Sequence, residues 1–342
     1  MTIYRAVQAT VEGKFELVER ELTEPGPGQV RVAVEACGVC HSDVVGVHNL
    51  FGNREAGTPI VPGHEIVGRV EKLGPDVTGW TVGQRVGIGF LGGHCGVCAN
   101  CRRGDFVYCT EQPVTGDSVD GGYAEYTIAR ASGLVAVPEE LSAAEAAPLL
   151  CAGITVFNGF RKGAARPGDL VAVQGIGGLG HLAIQYAAKL GFRVAAIARG
   201  EGKRELALKL GATEYIDSAA VDPAKALQEL GGAQVIVATA ASGASMSPLI
   251  DGLGVRGRLI VVGAANDPIE VTTGSLIFGG RSIHGSLTGT PSENEENLAF
   301  SVANDVRPMV EVVPLELAGT AYDRMMSGDA RFRMVLTTNQ EG

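Results

Sequence analysis

The sequence predicts an α/β protein whose middle is a Rossmann-type, doubly wound parallel sheet, and three observations carry that prediction. A strand, a glycine turn and a helix follow one another directly in LVAVQGIGGLGHLAIQYAAKLG, residues 170–191. Short β-branched runs then alternate with helical stretches for some ninety residues. The chain is also long enough, at 342 residues with 45% hydrophobic composition, to build two domains with cores of their own.

Each element has its own signal. Leu170 to Val173 is an apolar, β-branched run that reads as a buried strand. Gly175, Gly177, Gly178 and Gly180 make the turn, where a pyrophosphate can approach the backbone N–H groups at a helix start and the helix dipole favours its charge. Beyond Gly180 the apolar residues recur at helical spacing. FRVAAIA (192–198) then reads as strand, KRELALKLG (203–211) as helix, EYID (214–217) as a short strand and PAKALQEL (223–230) as helix. AQVIVATA (233–240) reads as strand, Met246 to Leu253 as helix and GRLIVVG (257–263) as strand. Forty-nine glycines suit a turn-rich domain around this one.

Outside that region the cysteines are the strongest signal. Four of seven lie in CGVCANCRRGDFVYC, as Cys95, Cys98, Cys101 and Cys109. Two disulfides would be one use, but a chain of this size, with nothing resembling a secretory signal at its start, needs no covalent staples. The spacing C-x2-C-x2-C-x7-C instead suits a tetrahedral zinc ion, and four thiolates would close its coordination, leaving a structural site. His94 is a spare candidate ligand that reads as a surface residue beside four thiolates.

Cys37, Cys40 and Cys151 remain. Cys40 in CGVCHSD, His64 in PGHEIVG and Cys151 in LLCAGITVF would together make a Cys2His set, the three-ligand arrangement of a catalytic zinc with an open position. Spacing alone cannot assemble ligands so far apart, and a lone cysteine in an apolar run is usually a buried thiol.

Taken in order over essentially the whole chain, CGVCHSD, GHEIVG, the four-cysteine loop, DGGYAEY, LLCAGITVF, GIGGLGH and RFRMVL resemble the zinc-dependent alcohol dehydrogenases of the medium-chain dehydrogenase/reductase superfamily, near the cinnamyl alcohol dehydrogenase and bacterial branch. The resemblance implies a β-rich, GroES-like catalytic domain from residues 1–147 and 288–342, a Rossmann domain from 148–287, and an active site in the cleft between them. It implies two zinc ions per chain, a catalytic one on Cys40, His64 and Cys151 and a structural one on Cys95, Cys98, Cys101 and Cys109. Cys37 is left to pack as a small apolar residue. By the same resemblance Glu65 sits behind the catalytic metal, Asp43 fixes the tautomer of His64, and Ser42 and His48 pass the substrate proton to solvent. His41 and Arg333 would meet the cofactor phosphates, Thr155 the nicotinamide ring, and Phe51 and Phe90 the substrate pocket. Phenylalanines there, where members tuned to the smallest alcohols carry tryptophan, favour medium-chain or aromatic primary alcohols and aldehydes.

Cofactor choice is read at the end of the second Rossmann strand. An NAD-binding unit places an acid about 20 residues beyond the glycines, to bond the ribose hydroxyls. Here that position is Ala198, followed by Arg199, Lys203 and Arg204. No acid faces the ribose, and Arg199 and Lys203 can pair with a 2′-phosphate, so NADP(H) is the preferred cofactor and NAD(H) a usable one. Alanine stands where NADPH-using cinnamyl alcohol dehydrogenase relatives carry serine, and Glu201 lies nearby on a turn.

A formal net charge of −10 argues against nucleic acid or anionic membrane as partners. No apolar run reads as long enough to span a bilayer, and a cytoplasmic homodimer or homotetramer acting on a small alcohol or aldehyde is the expectation, with subunit contacts around RSIHGSL (281–287). The final TTNQEG reads as a loose end. Two rivals are a polyol or amino-alcohol dehydrogenase, many of which carry glutamate as third ligand where this chain has Cys151, and a non-catalytic cofactor-binding module, which should have lost some of these ligands.

Overall fold

A computed structural model describes residues 2–338 apart from Val11 and Ala56. Of the closing TTNQEG, Thr337 and Thr338 are described, and Asn339 to Gly342 lie outside the described residues. The chain forms two units, Met1–Cys151 with Gly289–Gly342, and Ala152–Thr288. The strands of the first unit are β1 (Ile3–Ala9), β2 (Phe15–Glu21), β3 (Gln29–Val39), β4 (Glu65–Leu73), β5 (Arg85–Ile88), β6 (Tyr126–Arg130) and β7 (Leu134–Ala136). Those of the second are β8 (Leu170–Gln174), β9 (Arg193–Ala198), β10 (Glu214–Asp217), β11 (Ala233–Ala238), β12 (Leu253–Val261) and β13 (Ser282–Gly285). After the chain returns to the first unit come β14 (Val310–Pro314) and β15 (Arg333–Thr337).

In the second unit six parallel strands lie in the order β10-β9-β8-β11-β12-β13. The order reverses direction at β8, the first strand, so the glycine turn after Gln174 stands at the switch point where doubly wound sheets bind nucleotides. β8 is buried along its whole length, as its unbroken apolar run requires of a strand covered on both faces. The segment read as a helix from Met246 to Leu253 folds differently. Its helix runs from Gly243 to Met246, a 3-10 turn follows over Ser247–Gly252, and Leu253 already begins β12. Pro248 explains the change, because it has no N–H to continue the α-helical ladder.

In the first unit a sheet runs β14-β15-β3-β4-β5-β7, with β6 also on β3, and β1 and β2 form a separate hairpin. Its register gathers distant residues. β3 pairs antiparallel with β4 so that Gly38 lies opposite Glu65, which sets Cys40, just past the end of β3, beside His64, just before β4. β15 pairs with β3 at Met334 and Val39, bringing Arg333 to the same end. β5 pairs with β4 at Ile88 and Ile66, and continuing that register two residues puts Phe90 beside His64. The core below this end is a cluster that includes Val32, Val34, Cys37, Ile66, Ile88, Tyr123 and Met334.

One expectation about membranes needs correction. The helical stretch Ala143–Gly163 has 21 residues and a mean hydropathy of 1.3, enough by length and composition to cross a bilayer. It is nonetheless 78% buried inside the protein, as a core helix is. Across the sequence the run is broken by Glu145, Pro148 and Asn158, which hid its continuity.

Candidate active site

Cys40, His64, Glu65 and Cys151 offer ligand atoms that all lie within 4.8 Å of one another. Cys40 and His64 come from the facing ends of β3 and β4, while Cys151 comes from a π-helical turn, Leu149–Gly153. A π turn widens the helix and leaves carbonyls without their usual N–H partners. Here the buried side chains of Asn297 and Asn294 supply them, donating to Leu149 O and Leu150 O, each at 3.0 Å. That widened turn presents the Cys151 sulfur 4.0 Å from the Cys40 sulfur. Thiolates around a tetrahedral zinc at about 2.3 Å stand roughly 3.8 Å apart, so the pair is spaced for one metal ion and too far apart for a disulfide.

The imidazole is held from behind. His64 Nδ1 is 2.8 Å from Asp43 Oδ1, both groups being buried, and this fixes Nδ1 as the protonated nitrogen. Nε2, also buried, has no hydrogen-bond partner among the described residues, as suits a ligand atom. The surroundings favour positive charge at this spot: against a burial penalty, Asp43 and Cys40 hold the His64 pKa well above the ordinary histidine value. The bond with Cys151 carries the Cys40 thiol well below its usual value, while that same bond and burial push Cys151 up. A soft donor set of two sulfurs and one imidazole in an anionic pocket fits zinc.

Glu65 is wholly buried and pairs with Arg333 through Oε1, while Oε2 has no partner. Burial pushes its carboxyl up to about 7, against the pull of the guanidinium. Gly38 makes room for it, since a Cβ there would stand 1.9 Å from Oε2. Arg333, read as meeting the cofactor phosphates, is buried and pairs with Glu65 through one terminal nitrogen.

The other predicted residues of this unit are placed as follows. Ser42 is half-buried immediately before the short helix Asp43–Val47, and His48, exposed, immediately follows it. His41 is exposed. Phe90 meets the His64 ring edge-on, with centroids 5.0 Å apart and planes at 85°. Phe51, by contrast, is 58% exposed in the loop after that helix. Cys37 is buried in the core, which pushes its thiol well up.

The four-cysteine loop forms a second cluster, its sulfurs also within 4.8 Å of one another and Cys95 and Cys101 4.0 Å apart. Backbone N–H groups point at these sulfurs: Cys98 N–H and Val97 N–H at Cys95 Sγ (3.3 and 3.4 Å), and Cys95 N–H at Cys109 Sγ (3.3 Å). The Cys98 thiol is lowered to about 5 by the N–H groups of Cys101 and Thr110. His94 is half-buried rather than on the surface, with its ring 4.4 Å from that of Phe106, and it stands outside the sulfur cluster.

In the second unit, the glycine turn and the end of β9 line a cavity of about 620 Å³ that includes Gly175, Ile176, Ala198, Arg199, Lys203 and Ser218. Close approach explains the turn's glycines, since a Cβ on Gly180 would stand 1.8 Å from Gly175 O. Gly177 has nothing within 4 Å of where its Cβ would be, leaving its backbone open. The three cations after β9 differ. Lys203 Nζ donates to Ile176 O at 2.7 Å, which ties it to the turn. Arg204 pairs with exposed Glu201 and lies over the Tyr215 ring, 4.7 Å from its centroid. Arg199 is exposed at the cavity and has no acidic partner among the described residues. The acid opposite Ala198 in the sheet, Asp217, accepts the N–H groups of Gly200 and Ala219 at 2.6 and 2.9 Å, so it fixes a turn. Thr155 is buried, its hydroxyl 3.4 Å from Leu287 O.

Sequence reasoning missed Asn294, Asn297 and Tyr123. The asparagines sit in PSENEENLAF, which reads as a solvated helix face, and no local pattern marks them.

Two family models match the chain: the alcohol dehydrogenase GroES-like domain over residues 26–139 and the zinc-binding dehydrogenase over 178–303. An alcohol dehydrogenase of Aspergillus sp. is 45% identical over 337 residues, 98% of each chain. Among solved structures, a cinnamyl alcohol dehydrogenase of Sorghum bicolor aligns over 100% of both chains with a TM-score of 0.88 and 31% identity. A cinnamyl alcohol dehydrogenase of Helicobacter pylori, complexed with NADP(H), covers 100% of this chain and 99% of its own with a TM-score of 0.86 and 26% identity.

Proposed function

This chain belongs to the zinc-binding alcohol dehydrogenases with a GroES-like domain, and from that premise we propose that Cys40, His64 and Cys151 hold its catalytic zinc, that Cys95, Cys98, Cys101 and Cys109 hold a structural one, and that NADP(H) is its preferred cofactor. It is an oxidoreductase that uses zinc and a nicotinamide cofactor on alcohols and aldehydes. The observation that carries the site is the convergence of two sulfurs and a partnerless imidazole nitrogen, with Asp43 behind the ring. When bound, zinc supplies Lewis acidity to the substrate oxygen and the nicotinamide exchanges a hydride with the substrate carbon.

The protein's own groups do the rest. Asp43 holds the Nδ1 proton of His64 and orients the ring, leaving Nε2 as the nitrogen that faces the sulfurs. Glu65, neutralised by Arg333, lends the pocket a carboxylate oxygen without a full extra charge. Ser42, immediately before its helix, takes the hydroxyl proton of an alcohol and His48, exposed immediately after the same helix, delivers it to water. His41 binds near the cofactor phosphates and Thr155 beside the nicotinamide.

Arg199 and Lys203 bind the 2′-phosphate at the cavity after β9, whose lining has no carboxylate among the described residues, Asp217 being held by the Gly200 and Ala219 N–H groups. Phe90 on the His64 ring is an apolar wall that suits medium-chain or aromatic substrates, and Phe51 is a second. The enzyme works in the cytoplasm as a homodimer or homotetramer, for which β13, at the edge of its sheet, offers a free strand. A panel of straight-chain and aromatic alcohols and aldehydes, each assayed with NADPH and NADH, tests the reading. It predicts higher kcat/KM for hexanol and benzyl alcohol than for ethanol, and a lower KM for NADPH. Preference for ethanol, or equal use of NADH, would overturn the respective part.

A further inference from the structure

We propose that Tyr123 is a positioning residue of the metal site, acting through Asp43 to hold the His64 ring and so to set how tightly Cys40, His64 and Cys151 retain their ion. The inference rests on the reading of those three residues as the catalytic zinc ligands.

The motif DGGYAEY lies beside the ligand loop because two backbones meet there. Gly121 N–H donates to Val61 O at 2.7 Å, Gly122 N–H to Gly63 O at 3.0 Å and Tyr123 N–H to Pro62 O at 3.0 Å. These acceptors are the three residues before His64. So close an approach needs the glycine pair. A Cβ on Gly121 would stand 2.1 Å from Gly63 O, and one on Gly122 would stand 2.4 Å from Ile66 Cγ1. Gly63 in turn, at φ +97°, admits the tyrosine ring, since a Cβ there would be 2.4 Å from Tyr123 Cδ1. Two short glycine motifs thus seat one aromatic ring against the backbone of a ligand.

The ring ends on a carboxylate that serves two ligands at once. Tyr123 is wholly buried, and its hydroxyl donates to Asp43 Oδ2 at 2.8 Å. The same oxygen accepts the Cys40 N–H at 2.9 Å, and the other oxygen lies 2.8 Å from His64 Nδ1. Asp43 therefore joins the peptide of one ligand to the imidazole of another, and the Tyr123 hydroxyl anchors it from outside that pair. Without the phenol O–H, Oδ2 keeps the Cys40 N–H alone, and the carboxylate plane is free to turn about its last bond. The imidazole follows it. Partners that orient a ligating histidine commonly change metal affinity or activity by 10–100-fold, and a group one step further out belongs at about 10-fold.

Tyr123→Phe removes one oxygen and keeps the ring that fills the core. The test uses the purified zinc-loaded enzyme, with release of zinc to the chromogenic chelator 4-(2-pyridylazo)resorcinol followed over time. The wild type should carry two zinc ions per chain, released in two phases. Tyr123→Phe should release one about 10-fold faster and leave the other, in the four-cysteine loop, unchanged. Cobalt exchanged into the faster site should show a shifted visible band in the variant, a signature that simple loss of stability would not produce. In an Asp43→Asn background, Tyr123→Phe should add almost nothing, because the phenol acts through that carboxylate. Wild-type release rates and a superposable cobalt spectrum in Tyr123→Phe overturn the role of Tyr123 while leaving the zinc assignment standing. A wild type with zinc in the four-cysteine loop only overturns both.

Discussion

Replacing Arg199 with alanine should separate the two nicotinamide cofactors. Three cations follow β9: Arg204 is taken by Glu201 and the Tyr215 ring, and Lys203, at the cavity, gives one of its N–H groups to the Ile176 carbonyl. Arg199 is exposed at the cavity without an acidic partner among the described residues, so under the proposed NADP(H) preference it should carry the larger share of 2′-phosphate recognition. A hydrogen bond between charged groups contributes about 1.5–3 kcal/mol. Arg199 is exposed, and solvent screening puts it at the low end, about 1.5–2 kcal/mol. At one decade per roughly 1.4 kcal/mol this is a loss of roughly 10–30-fold in kcat/KM for NADPH. NADH has no 2′-phosphate to lose, and its kcat/KM should stay within about 3-fold, as expected of a surface change away from the chemistry. Initial rates at saturating benzaldehyde, with NADPH and NADH varied in turn, measure both numbers. An equal loss for the two cofactors, or no loss for the phosphorylated one, would refute the assignment.

Ala198→Asp should reverse the cofactor order, because a carboxylate at the end of β9 repels the 2′-phosphate and accepts from ribose hydroxyls; the ratio of the two kcat/KM values reports it. Cys101→Ser should leave a four-cysteine site with three ligands, and since structural zinc contributes about 10–16 kcal/mol in small zinc domains, against roughly 5–15 kcal/mol for a whole domain, thermal melting should show gross loss of the folded first unit. Phe90→Trp adds bulk against the His64 ring and should lower kcat/KM for benzyl alcohol by more than that for ethanol; a parallel fall in both would count against Phe90 as a pocket wall.

The second unit was legible because its signals are local. A β-branched run, four glycines and an apolar helix face lie within 22 residues, and each strand after them announces itself by composition. Where a local signal misled, as at Met246 to Leu253, one proline altered the turn type. The four-cysteine loop was legible for the same reason, its ligands lying within 15 residues. The other site was different in kind. Cys40, His64, Cys151 and Arg333 are brought together by the antiparallel register of β3 with β4 and β15 and by a π turn, and nothing in their own neighbourhoods encodes those pairings. Family resemblance pointed to Cys40, His64 and Cys151 but not to the groups that support them. Asn294 and Asn297 look like surface residues until the π turn frees two carbonyls, and nothing near Arg333 in the sequence announces its pairing with Glu65. These buried polar groups are the part of the site that sequence hides best, because the partners of Asn294, Asn297 and Arg333 lie more than a hundred residues away.

The central claim is that Cys40, His64 and Cys151 form the metal site at which alcohols are oxidised, apart from the four-cysteine loop. Zinc content measured alongside turnover in Cys40→Ser tests it most directly. The account predicts that the wild type holds two zinc ions per chain, that the folded variant holds one, and that alcohol-dependent reduction of either nicotinamide cofactor is abolished. Substantial turnover by a Cys40→Ser enzyme that still folds would contradict it.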